Sequence, residues 1–342
     1  MGLLFNNAND WVNKGIALAN LNQYEEAIAA YNRAIQINPN DTVAWNNKGI
    51  ALGNLKLYEE AISAFDRAIQ LDPNDPSAWC NKGIALVDMK QYEEAISALD
   101  QSIQLHPNNA LAWRNKGNAL LNLNCFEEAI DDFDRSIRLN PNDGWAWFFK
   151  GLAFSHLEDP KEALAAYIRV TQLDPKNALA WNSKGLTLAD LNRYEEAIVA
   201  YNRAFELDPN SELIWKNKGI ALYNLNRYED AISAFDRAIQ LDPNEAFVWC
   251  NKGTALADLN RYDEAIAAYD RALKIAPDNQ PLKETIEKFL KNIPNRNGSN
   301  SRDVCDDITY WFCSDCGEKN SNTANFCSKC GKQLKKGFDR LY

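Results

Sequence analysis

Trp11-Val12-Asn13-Lys14-Gly15-Ile16-Ala17-Leu18 is the stretch whose reading decides the fold. Versions of it open again at Trp45, Trp79, Trp113, Trp147, Trp181, Trp215 and Trp249, always 34 residues on. A fixed period of this size, without insertion or deletion, specifies a stacked array of one supersecondary unit. The unit itself reads as two helices. From Ala8 to Leu21, Trp11, Ala17, Leu18 and Leu21 with the small Gly15 mark one helix face. Asn22-Gln23 breaks the pattern. Ala27, Ile28, Tyr31, Ala34 and Ile35 mark a second face from Tyr24 to Ile37, and Pro39 stops it. Two helices joined by so short a loop pack antiparallel. Gly15 and Ala27 let the backbones approach, and Trp11 and Tyr31 fill the remaining space. A single hairpin cannot bury both faces, so it needs neighbours.

Working outward, the repeats occupy residues 8–279. The expected boundaries after them are a capping helix at 280–292, a polar linker at 293–303 and a small domain at 304–342. The capping helix is read from Leu282, Ile286, Phe289 and Leu290, which share one face. The chain carries a net charge of −10, with +3 from Gln280 onward and −13 before it. An acidic array argues against non-specific nucleic-acid binding by that part. Glu pairs such as Glu25-Glu26 at the start of five of the second helices account for much of the acidity, since the helix dipole favours them there. No apolar run reaches membrane-spanning length and no secretory signal is evident, so the expected setting is the cytoplasm. No nucleophile–base pair, phosphate loop or paired-carboxylate site stands out, and no enzymatic activity is expected.

Trp11, Gly15, Ala27, Tyr31, Ala34 and Pro39 match in type and spacing the pattern of the tetratricopeptide repeat, which this chain resembles in all eight units. The resemblance implies an all-α fold, a right-handed α-solenoid whose first helices line a concave wall. Two departures recur: Lys14 and its equivalents replace the usual Leu before Gly, and Leu18 and most of its equivalents replace Tyr. A Lys stem covers apolar surface while its ammonium reaches water, so a scaffold role for the Lys row comes first.

Phe312-Cys313-Ser314-Asp315-Cys316-Gly317 and Phe326-Cys327-Ser328-Lys329-Cys330-Gly331 form the strongest chemical motif. Four thiolates in two tight turns suit tetrahedral Zn²⁺, and a closed site with four Cys ligands is structural. The segment resembles a short zinc ribbon. Two disulfides or an iron–sulfur cluster are the alternatives. Cys305 lies outside the pattern and reads as a free thiol.

Two further constellations suggest a binding groove. Asn13, Asn47, Asn81, Asn115, Asn217 and Asn251 each follow the repeat Trp by two residues, and Phe149 and Ser183 take that place in the fifth and sixth repeats. A carboxamide can pair with peptide backbone irrespective of sequence. The row resembles the Asn ladder of O-GlcNAc transferases, which holds extended peptide; the plainer reading is that these Asn residues are merely frequent here and face water. In the fifth repeat, Trp145, Phe148, Phe149, Leu152 and His156 share one helix face apart from the packing residues, with Arg114 next door in the fourth. That face reads either as an apolar anchor or as packing against a neighbouring repeat or a second chain.

The expected function is a scaffold that holds an extended segment of another protein in the concave groove, with the structural zinc ribbon as second contact. The alternative is a nucleic-acid-associated factor that uses the ribbon's Lys329, Lys332, Lys335, Lys336 and Arg340 with nearby aromatic side chains.

Overall fold

The computed structural model describes residues 7–292, 310–312 and 319–321. The linker at 293–303, Cys305 and the four paired Cys residues lie outside them. The chain divides into two compact units, Met1–Pro175 and Lys176–Tyr342.

The first unit is five helical hairpins. They are α1 (Ala8–Asn20) with α2 (Tyr24–Ile37), α3 (Thr42–Asn54) with α4 (Tyr58–Leu71), and α5 (Pro76–Asp88) with α6 (Tyr92–Leu105). Then come α7 (Ala110–Asn122) with α8 (Phe126–Leu139), and α9 (Gly144–His156) with α10 (Pro160–Leu173). The second unit holds α11 (Ala178–Asp190) with α12 (Tyr194–Leu207), α13 (Glu212–Asn224) with α14 (Tyr228–Leu241), and α15 (Ala246–Asp258) with α16 (Tyr262–Ile275). It continues with α17 (Gln280–Asn292) and the antiparallel pair β1 (Tyr310–Phe312) and β2 (Lys319–Ser321), in which Trp311 faces Asn320.

Local sequence explains each boundary. Six of the eight first helices start at an Asn or Asp whose side chain accepts an amide hydrogen from the first turn, as Asp41 does from Ala44 and Asn177 from Ala180, while α13 and α15 start at Ser211 and Glu245 without such a bond. Second helices carry acids in their first turn, such as Glu59 and Glu60 of α4. Pro160 occupies the first turn of α10, with Asp159 capping it. The hairpin turn needs one left-handed residue in every repeat, for example Asn22 at φ 59° and Lys90 at φ 61°.

Inside a hairpin the small positions are closed to anything larger. A Cβ on Gly49 would lie 2.5 Å from the Phe65 ring, and Ala61 is wholly buried. Between hairpins, the indoles of Trp45, Trp79, Trp113, Trp147 and Trp249 donate to the carbonyl of the Pro six residues before them; Trp79 to Pro73 is 2.9 Å. All eight Lys ammonium groups of the regular row sit over the Trp one turn earlier, at 4.6–5.8 Å from its centroid. In the second unit α17 closes onto α16: Leu282 and Ile286 are buried, and the Phe289 ring lies 5.0 Å from Tyr269.

Candidate functional site

The Asn row lies along the first helices but is partly spent on the fold. Asn13 is exposed, Asn47, Asn81 and Asn251 are half-buried, and Asn115 and Asn217 are buried. Asn81 Nδ2 donates to Asn46 Oδ1 at 3.1 Å, joining the second and third repeats. Asn217 makes the same bond to Asn182 in the second unit, at 3.2 Å. Asn115 donates to the Leu111 carbonyl of its own helix. Each of these three amides has committed one donor to stacking or to its own backbone, so the row is no free ladder.

The fifth repeat requires a correction. Of the two readings of its aromatic face, Phe148, Phe149 and Leu152 follow the packing one and not the apolar anchor, for all three are buried. Phe149 lies 6.0 Å from Phe133 of the preceding hairpin, and Phe148 lies 5.6 Å from Tyr167 of its own second helix. The cause is that a first helix touches the first helices of its neighbours as well as the second helices, as α7 touches both α5 and α9. His156 stacks flat on Phe126 at 4.8 Å. Only Trp145 of this group is open, at 53% exposure, with its indole stacked 5.7 Å from Phe149.

The first unit has a cavity of about 550 Å³, lined by Ser77, His106, Asn109, Leu111, Arg114 and Asp143 among others. Arg114 Nη1 donates to both Asp143 carboxylate oxygens, at 3.2 and 2.9 Å. Asp143 also caps α9 by accepting from the Trp145 amide. Arg114 therefore contributes a neutralised ion pair where the sequence suggested a free charge. Leu111 is 39% exposed and Val43 53%. Val43, Ser77, Leu111 and Trp145 stand at one register, 34 residues apart, two before the repeat Trp. That register was the signal that reasoning from the residues after the Trp overlooks. This face offers apolar surface, and its ion pair is satisfied within the protein.

The buried thiols are inert. Burial pushes Cys80 up to about 11 and Cys250 up to about 12. Among the described residues no group of His, Cys, Asp or Glu is placed to hold a metal ion, and no helix is long and apolar enough to cross a membrane.

Family comparisons agree with this architecture. Tetratricopeptide-repeat families match residues 8–41, 42–75, 80–144, 146–177, 178–211 and 216–280, and a zinc-ribbon domain family matches residues 312–334. A repeat array of this kind is a protein-interaction scaffold. The chain belongs to the tetratricopeptide-repeat family and carries a zinc ribbon.

Among solved structures, PilF of Pseudomonas aeruginosa is 20% identical, over 60% of this chain and 93% of its own, with a TM-score of 0.55. A chain of the Cut9–Hcn1 hetero-tetramer of the APC/C is 18% identical over 82% of this chain, with a TM-score of 0.54; the match spans 55% of that chain. MamA from Desulfovibrio magneticus RS-1 is 25% identical, over 51% of this chain and 99% of its own, with a TM-score of 0.46. The first two likenesses are of fold alone. No curated protein matches the chain.

Proposed function

We propose that this protein is an adaptor whose first unit holds an extended, largely uncharged segment of a partner protein along the face of its first helices. The observation that carries this reading is the exposed Trp145, whose backbone amide is held by Asp143, a residue lining the cavity together with Leu111 and Arg114. A half-exposed Trp with rigid aromatic backing is the side chain that most often anchors an interface. Within that unit, Asn13, Asn47, Asn81 and Asn115 keep unused amide or carbonyl capacity that a peptide backbone can take up. Phe148, Phe149 and Leu152 act as the bed under Trp145 and do not contact the partner themselves.

The zinc ribbon is the second contact module in this reading. Cys313, Cys316, Cys327 and Cys330 are a donor set suited to one structural Zn²⁺, and the segment joining β1 to β2 carries the first two. A closed four-thiolate site belongs to a reducing compartment, which supports a cytoplasmic setting. Two tethered contacts raise the effective concentration of each for a shared partner.

A peptide array probed with the whole chain tests the groove. Trp145→Ala and Leu111→Ala should each weaken the captured peptides by about tenfold or more, as loss of an interface anchor does. If both variants fold and capture the same peptides with undiminished affinity, the partner docks elsewhere.

A further inference from the structure

One position breaks the rule of the array without breaking its fold. Second helices carry Ala six residues after their first-turn Tyr, Phe or Pro in seven repeats, as at Ala98 and Ala166, and each is buried. The fourth repeat has Asp132 there, buried to the same degree at 6% exposure. Its Oδ2 atom is sealed from solvent and has no hydrogen-bond partner.

The surrounding charges do not rescue it. From α7, the Lys116 ammonium stands 3.7 Å from Asp132 Oδ2 but is engaged with Asp100 of α6 at 2.8 Å. Arg135, one turn along α8, places its guanidinium over the Trp113 ring at 4.6 Å. From α9, Lys150 bonds Asp134 instead. An ionised carboxylate in that seam keeps the cost of leaving water and receives in return a cation at 3.7 Å that it shares with Asp100.

We propose that Asp132 makes the fourth repeat a pH-sensitive weak point: protonated, it lets the seam of α7, α8 and α9 close, and ionised, it loosens that seam. Burial moves the group in the corresponding direction, from 3.8 up to about 6, against the downward pull of Lys116 and Arg135. A carboxyl held above its unfolded-state value stabilises the fold by binding a proton there. Its contribution is complete below about 4 and is lost as pH rises through about 6. The helices it controls carry Leu111, Arg114 and Trp145, yet the device stands whatever the first unit binds.

The test uses the whole chain and Asp132→Ala, which installs the residue of the other repeats and so preserves packing. Hydrogen exchange of the α7–α9 amides, corrected for intrinsic pH dependence, reads local opening. Opening of the wild-type protein relative to Asp132→Ala should increase about tenfold between pH 5 and pH 7.5. Asp132→Asn, which cannot ionise, should show no such change relative to Asp132→Ala. An equal ratio at both pH values for the wild-type protein, or the same drift in Asp132→Asn, would overturn the proposal.

Discussion

The Lys150 ammonium reaches back sixteen residues to Asp134 Oδ1, at 2.5 Å, and ties the fifth hairpin to the fourth. The same link joins Lys82 to Asp66, Lys116 to Asp100 and Lys252 to Asp236. Sixteen residues before Lys48, Lys184 and Lys218 the chain has Asn32, Ile168 and Asn202. These three ammonium groups sit nearer their Trp rings, at 5.1, 4.6 and 4.9 Å, against 5.5–5.8 Å for the linked ones. Burial lowers the pKa of all three. The ammonium is shared between an indole face and a carboxylate, and it settles on the indole where the carboxylate is missing.

Asn202→Asp and Asn32→Asp should therefore supply the missing partners of Lys218 and Lys48. Each should raise stability by about 0.2–1 kcal/mol at low ionic strength, and the gain should shrink in high salt. Thermal melts at two salt concentrations check this. No gain for either variant at low salt would mean the Lys row is already satisfied by its Trp.

The hairpin turns carry removable strain. Lys56 and Lys90 adopt φ 61°, where five other repeats place Asn. A left-handed backbone costs an ordinary residue about 1 kcal/mol or more, and Asn less. Lys56→Asn should be stabilising, and it also offers Tyr58 the bond that Tyr24 makes to Asn22 at 2.8 Å. Adding Lys90→Asn should raise the melting temperature further, because distant sites are additive. A double variant that melts at or below the wild-type temperature would refute this.

Phe149 and Trp145 should separate cleanly by substitution. Phe149→Ala empties a buried site and should cost about 3 kcal/mol or more of stability. Trp145→Ala removes a half-exposed ring and should leave the melt within about 1 kcal/mol while reducing peptide capture. Melting and binding measured on the same two proteins distinguish bed from anchor. Equal destabilisation by both changes would make Trp145 part of the core.

Metal should affect one module only. The purified protein is expected to bring about one zinc per chain. Chelation should release it and leave the helical circular-dichroism signal of the repeats nearly unchanged. A large helical loss on chelation would show that ribbon and repeats fold as one body.

Much of this fold is legible in the sequence because the array repeats its instructions. Trp, Gly, Ala and Pro at fixed offsets locate both helices, and the described spans of α1 and α2 lie within a residue of those read from periodicity. For the aromatic face of α9 the sequence left anchor and packing both open. A helical wheel drawn for one hairpin has no place for α7, whose contact with α9 buries the register of Phe149. Asp132 was legible only by setting the repeats beneath one another, since an isolated Asp near a helix middle looks solvated. The Arg114–Asp143 pair spans two hairpins and needs coordinates. Cys313, Cys316, Cys327 and Cys330 still rest on their spacing and on the family match.

The Lys–Asp link has a bearing on how such a chain arises and varies. Each half of the link is carried by a different hairpin, and each hairpin of the regular type brings both halves. An in-frame duplication of one such unit therefore creates a junction that is already chemically matched, with no compensating change elsewhere. The fourth and fifth hairpins have left that interchangeable stock: Phe133 is met by Phe149, and Arg114 by Asp143. A copy of either one inserted elsewhere would arrive without its counterpart. Moving one of the two would therefore require moving the other, which makes theirs a less interchangeable junction than one held by the Lys–Asp link alone.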